Sequence, residues 1–335
     1  MLDYQSIEIT LLFFSIVTLL LVMVFNSGLR SRRKLPPGPW RIPVIGNIHH
    51  LGELPHRSLR CLAEKHGPLM HLQLGQIPTI VVSSPEVASE IMKTHDLDFC
   101  SRPSTDVFMK FSYNGSDIAF SKYGEHWRQI RRLGTLEFFS MKRVQSFRNV
   151  REDEVFVLIQ SVRRSCTQAR PVNLSEMFLC MTNNITCREV FGKRFSDDGE
   201  CNRSKHHDLV MEVIELMGGS SIGNFFPSLR WLSVITGFQG KLEKNFKRMD
   251  ELFEREIEDH CLNLMNDHVN DDQDEDFLDV LLKSQKDSTN FGFSMTKDDI
   301  KGILMVSHTS SSLFSEIFIF HFFLCGEHKS FTYSC

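Results

Sequence analysis

A tryptophan and an arginine four positions apart are the residues of this chain best suited to bind an anion. Trp127 and Arg131 lie within 122–132, a stretch (KYGEHWRQIRR) that is typical of the first two turns of a helix. On a helix the two side chains lie one above the other, so the indole N–H and the guanidinium can donate to the same anion. A solvated basic helix start would have the same sequence, and this stretch alone leaves both interpretations open.

The composition and charge of the chain limit the class of protein and the partners to which such a site could belong. The chain has 335 residues, of which 41% are hydrophobic and 24% are charged, and its formal net charge is -4. This balance is ordinary for a globular protein and argues against a nucleic-acid partner. The nine cysteines are scattered and include no C-x-x-C pair, so their spacing predicts neither a metal site nor a disulfide framework. Free thiols fit a reducing compartment.

An apolar run near the amino terminus predicts attachment to a membrane. Residues 9–25 carry no charge, and four basic residues follow between positions 30 and 34. The run is near the lower length limit for a spanning helix, and the basic residues place the rest of the chain in the cytosol. A cleaved signal peptide would have positive charge before the run, whereas Asp3 and Glu8 stand there. We therefore expect an uncleaved anchor helix at residues 1–30.

Prolines dominate the segment that follows. Residues 31–50 contain the sequence LPPGPW at 35–40, with Pro43 close behind. Proline removes backbone donors and restricts φ, so we expect a stiff, non-helical hinge. A generic linker is the alternative that these residues leave open.

The remaining pattern predicts a mainly α protein with a small β-sheet near the N-terminus. Alternation at 70–74 and a β-rich stretch at 79–83 flank a turn at 75–78, which predicts a hairpin. Ser84 and Pro85 are typical of a helix start, as is Thr296 further along. An aperiodic loop is expected at 96–120. Helices are predicted at 51–67, 84–95, 144–164, 177–192, 208–217, 241–265, 277–282 and from 296 onward.

The apolar segment 225–232 (FFPSLRWL) has two interpretations. Exposed, it would be the kind of patch that contacts a membrane. Buried, it would be a simple connector between helices, and its sequence favours neither.

In their order, several of these segments closely resemble the plant A-type, microsomal cytochrome P450 family. The matching stretches are 35–52, 67–103, 117–132, 171–178, 226–232, 276–285 and 294–304, and order and spacing hold over residues 9–304. The resemblance implies a cytochrome P450 fold that is truncated within its central long helix. Residues 51–304 would then form an incomplete P450 domain.

The resemblance also implies roles. In this family the W-x-x-x-R motif faces the haem, so Trp127 and Arg131 would donate to a haem propionate. Loop 101–120 and part of 206–225 would contact an apolar small-molecule substrate. The implied activity is that of a haem-thiolate monooxygenase of the endoplasmic reticulum membrane, which inserts one oxygen atom from O2. A flavin-containing P450 reductase would supply electrons.

Other positions depart from the family pattern. Lys122 stands where relatives often carry proline, and His126 where they often carry an aromatic residue. Thr309 lacks the preceding glycine and acid that would give it the family's role, so that role is not assigned. Cys325 lacks the glycine and arginine that surround the family's haem-ligand cysteine, so no metal ligand is assigned.

Residues 305–335 are therefore expected to be an aberrant tail without family match. The interpretation is a P450 fragment that lacks the axial cysteine. The alternative is a catalytically inactive, membrane-anchored P450 remnant or a mis-spliced product.

Overall fold

The structure is a computed structural model that describes residues 14, 15, 18, 35–195, 204–219, 221–265, 275–286 and 294–309. The expected anchor therefore lies almost wholly outside the described residues, and the tail beyond 309, with Cys325, lies entirely outside them. Among the helices that are described, none has both the length and the apolar character needed to cross a bilayer.

Helices make up most of the described chain, which confirms the predicted fold class. In chain order they are α1 (Pro55–His66), α2 (Pro85–Ser89), α3 (Asp96–Phe99), α4 (Asp106–Phe111), α5 (Glu125–Leu133), α6 (Met141–Ser146), α7 (Arg148–Thr167), α8 (Leu174–Phe191), α9 (Lys205–Gly218), α10 (Ile222–Phe225), α11 (Leu232–Ile235), α12 (Phe238–Met265), α13 (Phe277–Lys286) and α14 (297–309). The described strands, β1 (Leu69–Leu74) and β2 (Ile77–Val82), form one antiparallel hairpin near the N-terminus.

Two details of the helix prediction are wrong. The expected loop at 96–120 contains α3 and α4. Helix α4 begins because the Thr105 hydroxyl accepts a hydrogen bond from the Phe108 N–H at 3.2 Å, a capping signal that periodicity alone overlooks. The helix expected at 144–164 is two helices, α6 and α7, which meet at Phe147.

The chain divides into two compact units, which are described separately. The first contains residues up to 99 together with 221–236. Its hairpin pairs Leu69 with Val82 and Leu74 with Ile77, which leaves a two-residue turn at 75–76. Gly75 has a φ of 60°, the left-handed conformation that tight hairpin turns need. The turn is shorter than predicted because Pro78 lies within β2.

The described part of the hinge is held against β1 in this unit. The Pro37 carbonyl accepts from the His71 N–H at 2.9 Å. The Asn47 side chain accepts from the Gln73 N–H at 2.8 Å and donates to the Trp40 carbonyl at 2.9 Å. Backbone donors and acceptors of β1 are thereby paired on the edge that β2 does not use. The described part of the segment 31–50 therefore lies along β1 of the same unit.

The second unit contains residues 100–220 together with those from 237 onward. Its apolar core draws on α4, α5, α8, α9, α12, α13 and α14. Fully buried members include Phe111, Ile130, Val213, Leu242, Met249, Phe253, Leu281, Ile300 and Leu304. The helix expected to start at Thr296 is α14, and nine of its thirteen residues are buried, so it runs through this core.

Candidate functional site

Helix α5 has a charge distribution that suits its direction. Glu125 lies in its first turn, and Arg131 and Arg132 lie in its last turn. Acids near the N-terminus and bases near the C-terminus stabilise a helix through its dipole. Ile130 and Leu133 are buried, so this face anchors α5 to the core of the second unit.

Trp127 and Arg131 lie together on α5, as the four-residue spacing predicts. The guanidinium carbon of Arg131 is 5.0 Å from the centroid of the Trp127 indole, within the range of a cation–π contact. The indole N–H donates to the backbone carbonyl of Ile118 at 3.0 Å. This tryptophan donor therefore already has an acceptor, in the loop between α4 and α5.

The Arg131 guanidinium is exposed and, within the described part of the chain, makes no hydrogen bond or ion pair. Arg128 on the same helix differs, because its Nη2 lies 2.5 Å from Glu125 Oε2. An arginine fork without an acidic partner can bind a carboxylate through two parallel hydrogen bonds. The stacked arginine is thus the donor of the pair that is available to an anion.

A histidine of α5 contacts the start of α14. It is His126, which stands out in the sequence only because relatives often carry an aromatic residue at that position. The distance from His126 Nε2 to Asp299 Oδ1 is 2.8 Å, and the Asp299 side chain is 3% exposed. The other Asp299 oxygen accepts from both the N–H and the hydroxyl of Thr296. The Thr296 hydroxyl in turn accepts from the Asp299 N–H at 3.2 Å, which confirms the predicted cap of α14. No pattern in the sequence reveals the partner of His126, which lies 173 positions away.

A second polar network joins α14 to α12 and to the loop before α5. The ammonium of Lys301 lies 2.6 Å from Asp250 and 2.7 Å from Glu254. The Tyr113 hydroxyl donates to the same Asp250 carboxylate at 2.9 Å. Burial lowers the pKa of Lys301, but hydrogen bonds to the two carboxylates outweigh it and leave that pKa above its ordinary value.

The loop that bears Ile118 packs closely against α14. A Cβ atom added at Gly302 would lie 2.9 Å from the Ser116 carbonyl oxygen, so the backbones meet without an intervening side chain. Beside it, the Asp117 carboxylate accepts from the N–H groups of Phe120 and Ser121. Burial raises the pKa of Asp117 to about 6, although these backbone donors act in the opposite direction. The acceptor of the Trp127 N–H therefore lies in a rigidly held loop.

Similarity to known proteins identifies the family of this chain. The family model for Cytochrome P450 matches residues 36–311 of this chain. The chain belongs to the cytochrome P450 family. The match includes α5 and runs past Leu304 to residue 311, beyond the last described residue of α14.

Several plant proteins are similar to this chain. Cytochrome P450 71AP13 of Prunus mume is 44% identical over 294 residues, which cover 87% of this chain and 56% of that protein. Premnaspirodiene oxygenase of Hyoscyamus muticus is 43% identical over 302 residues, covering 87% and 58%. Strychnine-11-hydroxylase of Strychnos nux-vomica is 40% identical over 302 residues, covering 88% and 58%. The chain thus spans less than two thirds of the length of these P450 relatives.

P450 membership implies haem, and the described residues can be tested against that group. The exposed Arg131 guanidinium fits a haem carboxylate, and the neighbouring indole would add a donor if it exchanged its carbonyl acceptor. The described cysteines are Cys61, Cys100, Cys166, Cys180, Cys187 and Cys261. None of these six lies on α5, on α14 or in the loop between α4 and α5. Among the described residues, Arg131 thus offers a donor that a carboxylate could accept from, and the six cysteines lie on other elements.

Proposed function

We propose that this chain is part of a haem-thiolate monooxygenase that inserts one oxygen atom from O2 into an apolar small molecule. The observation that carries the proposal is the exposed guanidinium of Arg131, stacked on Trp127 within the segment that matches the P450 family. Two relatives, named as an oxygenase and a hydroxylase, support the same reaction class.

The residues of α5 would orient the cofactor. Arg131 would hold one haem propionate through its planar fork, and Trp127 would add a single N–H donor to the same carboxylate. The pairing of His126 with Asp299 keeps α5 at a fixed position on α14, so both donors would be pre-positioned. Haem, when bound, supplies the oxygen-activating chemistry, while the protein supplies binding and orientation.

The location and redox partner are part of the same proposal. The apolar run at 9–25 and the basic residues after it favour an anchor in the endoplasmic reticulum membrane, with the body in the cytosol. In the first unit, exposed Trp231, Val234 and Ile235 on and beside α11 support contact with membrane lipid. A flavin-containing P450 reductase would deliver electrons from the cytosolic side.

A second candidate function is that of a membrane-anchored, non-catalytic P450 protein. The setting of the described thiols favours it. The six described cysteines lie on elements other than α5, α14 and the loop between α4 and α5, which carry the proposed donors and their supports. In this candidate the chain would retain the carboxylate side of the haem site without the reactive centre.

One titration tests both candidates. The full chain is purified in detergent, titrated with ferric haem, reduced, and exposed to carbon monoxide while the Soret band is recorded. We expect saturable haem binding, and Arg131→Gln should weaken it about tenfold or more because a charge-assisted hydrogen bond is lost. Arg132→Gln is the matched control, since Arg132 is also exposed and lies next in sequence.

The outcomes separate the candidates. A thiolate-type Soret band in the carbon monoxide complex would support the monooxygenase and exclude the non-catalytic candidate. Saturable haem binding without that band would support the non-catalytic candidate. Equal affinities for the wild type, Arg131→Gln and Arg132→Gln would overturn the role given to Arg131.

A further inference from the structure

Three potential metal ligands converge inside the second unit. They are Cys187 near the end of α8, His206 in the first turn of α9, and His308 near the end of α14. One ligand atom from each lies within 4.8 Å of the other two, and the Cys187 sulfur is 3.7 Å from His206 Nδ1. In a tetrahedral zinc site the same kinds of atoms are about 3.4–3.6 Å apart, given the usual zinc–sulfur and zinc–nitrogen bond lengths.

The histidines of this cluster are buried without hydrogen-bond partners. His308 is 1% exposed and His206 is 5% exposed. Among the described residues, neither nitrogen of His308 nor Nε2 of His206 has a hydrogen-bond partner. An unpaired buried polar atom is unfavourable by about 1–3 kcal/mol, so unpaired nitrogens on two neighbouring rings favour a ligand that bonds to one nitrogen of each ring.

The surroundings of the two rings are aromatic. Phe191 stacks on His308 with ring centroids 5.0 Å apart, and Phe195 stacks on His206 at 4.6 Å. Phe253 covers His308 at 6.0 Å. This apolar shell holds the imidazoles in place, as the shell around a structural metal site does.

The electrostatic environment favours a cation. The carboxylates of Glu154 and Glu256 are 1–2% exposed, and the negative charge of both acts on Cys187. Their ion-pair partners, Arg188, Arg194 and Lys193, are far more exposed, at 23–46%. Neutral imidazoles and a thiol beside buried negative charge are suited to a divalent ion, which also displaces the thiol proton.

We propose that Cys187, His206 and His308 bind one zinc-class divalent cation. The ion forms a bond to the sulfur, the thiol proton leaves to solvent, and no electrons are transferred. A water molecule or an exogenous anion completes the tetrahedron. Bound there, the ion cross-links α8, α9 and α14. The scattered cysteine spacing predicts no metal site, because two of the three ligands are histidines from other helices.

The other acid–histidine cluster in the described structure serves as a contrast. His260, Asp276 and Asp279 also lie close enough together to hold an ion. However, His260 Nδ1 is 2.7 Å from the Glu256 carbonyl and Nε2 is 2.9 Å from Asp276. Both ring nitrogens are occupied, so this cluster is a hydrogen-bonded pair that needs no metal.

Metal titration of the full chain in detergent tests the proposal. The protein is treated with a chelator, desalted, and titrated with Zn2+ or Co2+. We expect about one equivalent of zinc by mass spectrometry, and a sulfur-to-cobalt charge-transfer band with Co2+. Cys187→Ser should abolish the band, and His206→Gln or His308→Gln should weaken zinc binding at least about 100-fold. Zinc should also raise the thermal unfolding midpoint of the wild type.

Matched controls sit beside the ligands. Cys180→Ser changes another buried cysteine of α8, and His207→Gln changes the buried histidine next to His206. Both should keep the cobalt band and the zinc stoichiometry. Circular dichroism checks that each variant is folded. If Cys187→Ser does not fold, the wild-type band and the two histidine variants decide the matter.

The absence of a cobalt–sulfur band in the wild type would overturn the proposal, as would its persistence in folded Cys187→Ser. Equal zinc affinity in the wild type and both histidine variants would also overturn it. Because Arg131→Gln leaves all three ligands intact, its zinc binding should be unchanged whatever the outcome of the haem titration.

Discussion

Buried polar side chains have hydrogen-bond partners at the start of α14, whereas His308 near its end has none among the described residues. At its start, Asp299 is paired with His126 and caps the helix with Thr296, and Lys301 is held by two carboxylates. Near its end, His308 is equally buried but has no hydrogen-bond partner in the described structure. One helix therefore carries a complete polar network and an incomplete one.

Buried polar groups with hydrogen-bond partners have a different effect from buried polar groups without them. A complete network positions its neighbours, and here it fixes α5 and the loop that receives the Trp127 N–H. An incomplete network costs free energy of folding, which a ligand can recover by supplying the missing bonds. The start of α14 thus positions α5 and the loop before it, and we call it the positioning end. The final turn of α14 carries His308 of the proposed metal site.

The largest effect is expected at the positioning end. Asp299→Ala removes the carboxylate half of the capping box of α14 and leaves donors of Thr296 and His126 without their acceptor. We expect the free energy of unfolding to fall by about 3 kcal/mol, measured by urea denaturation of the full chain in detergent. Asp298→Ala is the control, because Asp298 is exposed in the same turn and should cost less than about 1 kcal/mol. Equal losses in both variants would contradict the positioning role.

A smaller effect is expected where α14 meets the loop. Gly302→Ala places a methyl group 2.9 Å from the Ser116 carbonyl, so one backbone must shift. We expect a loss of about 2 kcal/mol in the same denaturation assay. Gly240→Ala in α12 is the control, since nothing lies within 4 Å of its new methyl group. That variant should be stabilised by up to about 1 kcal/mol through helix propensity. A stabilised Gly302→Ala would show that the contact is loose.

The smallest effect is expected on the pH dependence of stability, through His260 and its pairing with Asp276. Burial lowers the pKa of His260, but its hydrogen bond to Asp276 outweighs burial and raises the pKa from 6.5 to about 8. Because the folded state holds this proton more tightly, the stabilisation is complete below pH 6.5 and is lost as pH rises through about 8. We expect a contribution of about 1 kcal/mol after solvent screening.

Urea denaturation at a series of pH values measures this contribution. The wild type should lose stability across that window, and His260→Gln should lose about 1 kcal/mol less. Identical pH profiles for the two proteins would show that the histidine gains nothing from its pair. The result would also measure how much free energy of unfolding a buried histidine, such as His308, gains from a hydrogen-bond partner.

Local patterns were enough to predict much of the fold and part of the site. The caps at Ser84 and Thr296 and the Trp127–Arg131 stack involve residues within four positions of each other, where geometry follows from sequence. The two helices within 96–120 were missed because short helices depend more on a cap than on periodicity.

By itself, the sequence determined the secondary-structure classes, the donor pair of α5 and the family resemblance. These depend on short-range spacing and on the order of segments along the chain. Only the tertiary structure decided that the Trp127 N–H is used by Ile118, that Asp299 holds His126, and that Cys187 meets His206 and His308. The physical reason is that such contacts arise when distant helices pack their apolar faces together. Packing then determines which polar atoms gain partners and which are left without one.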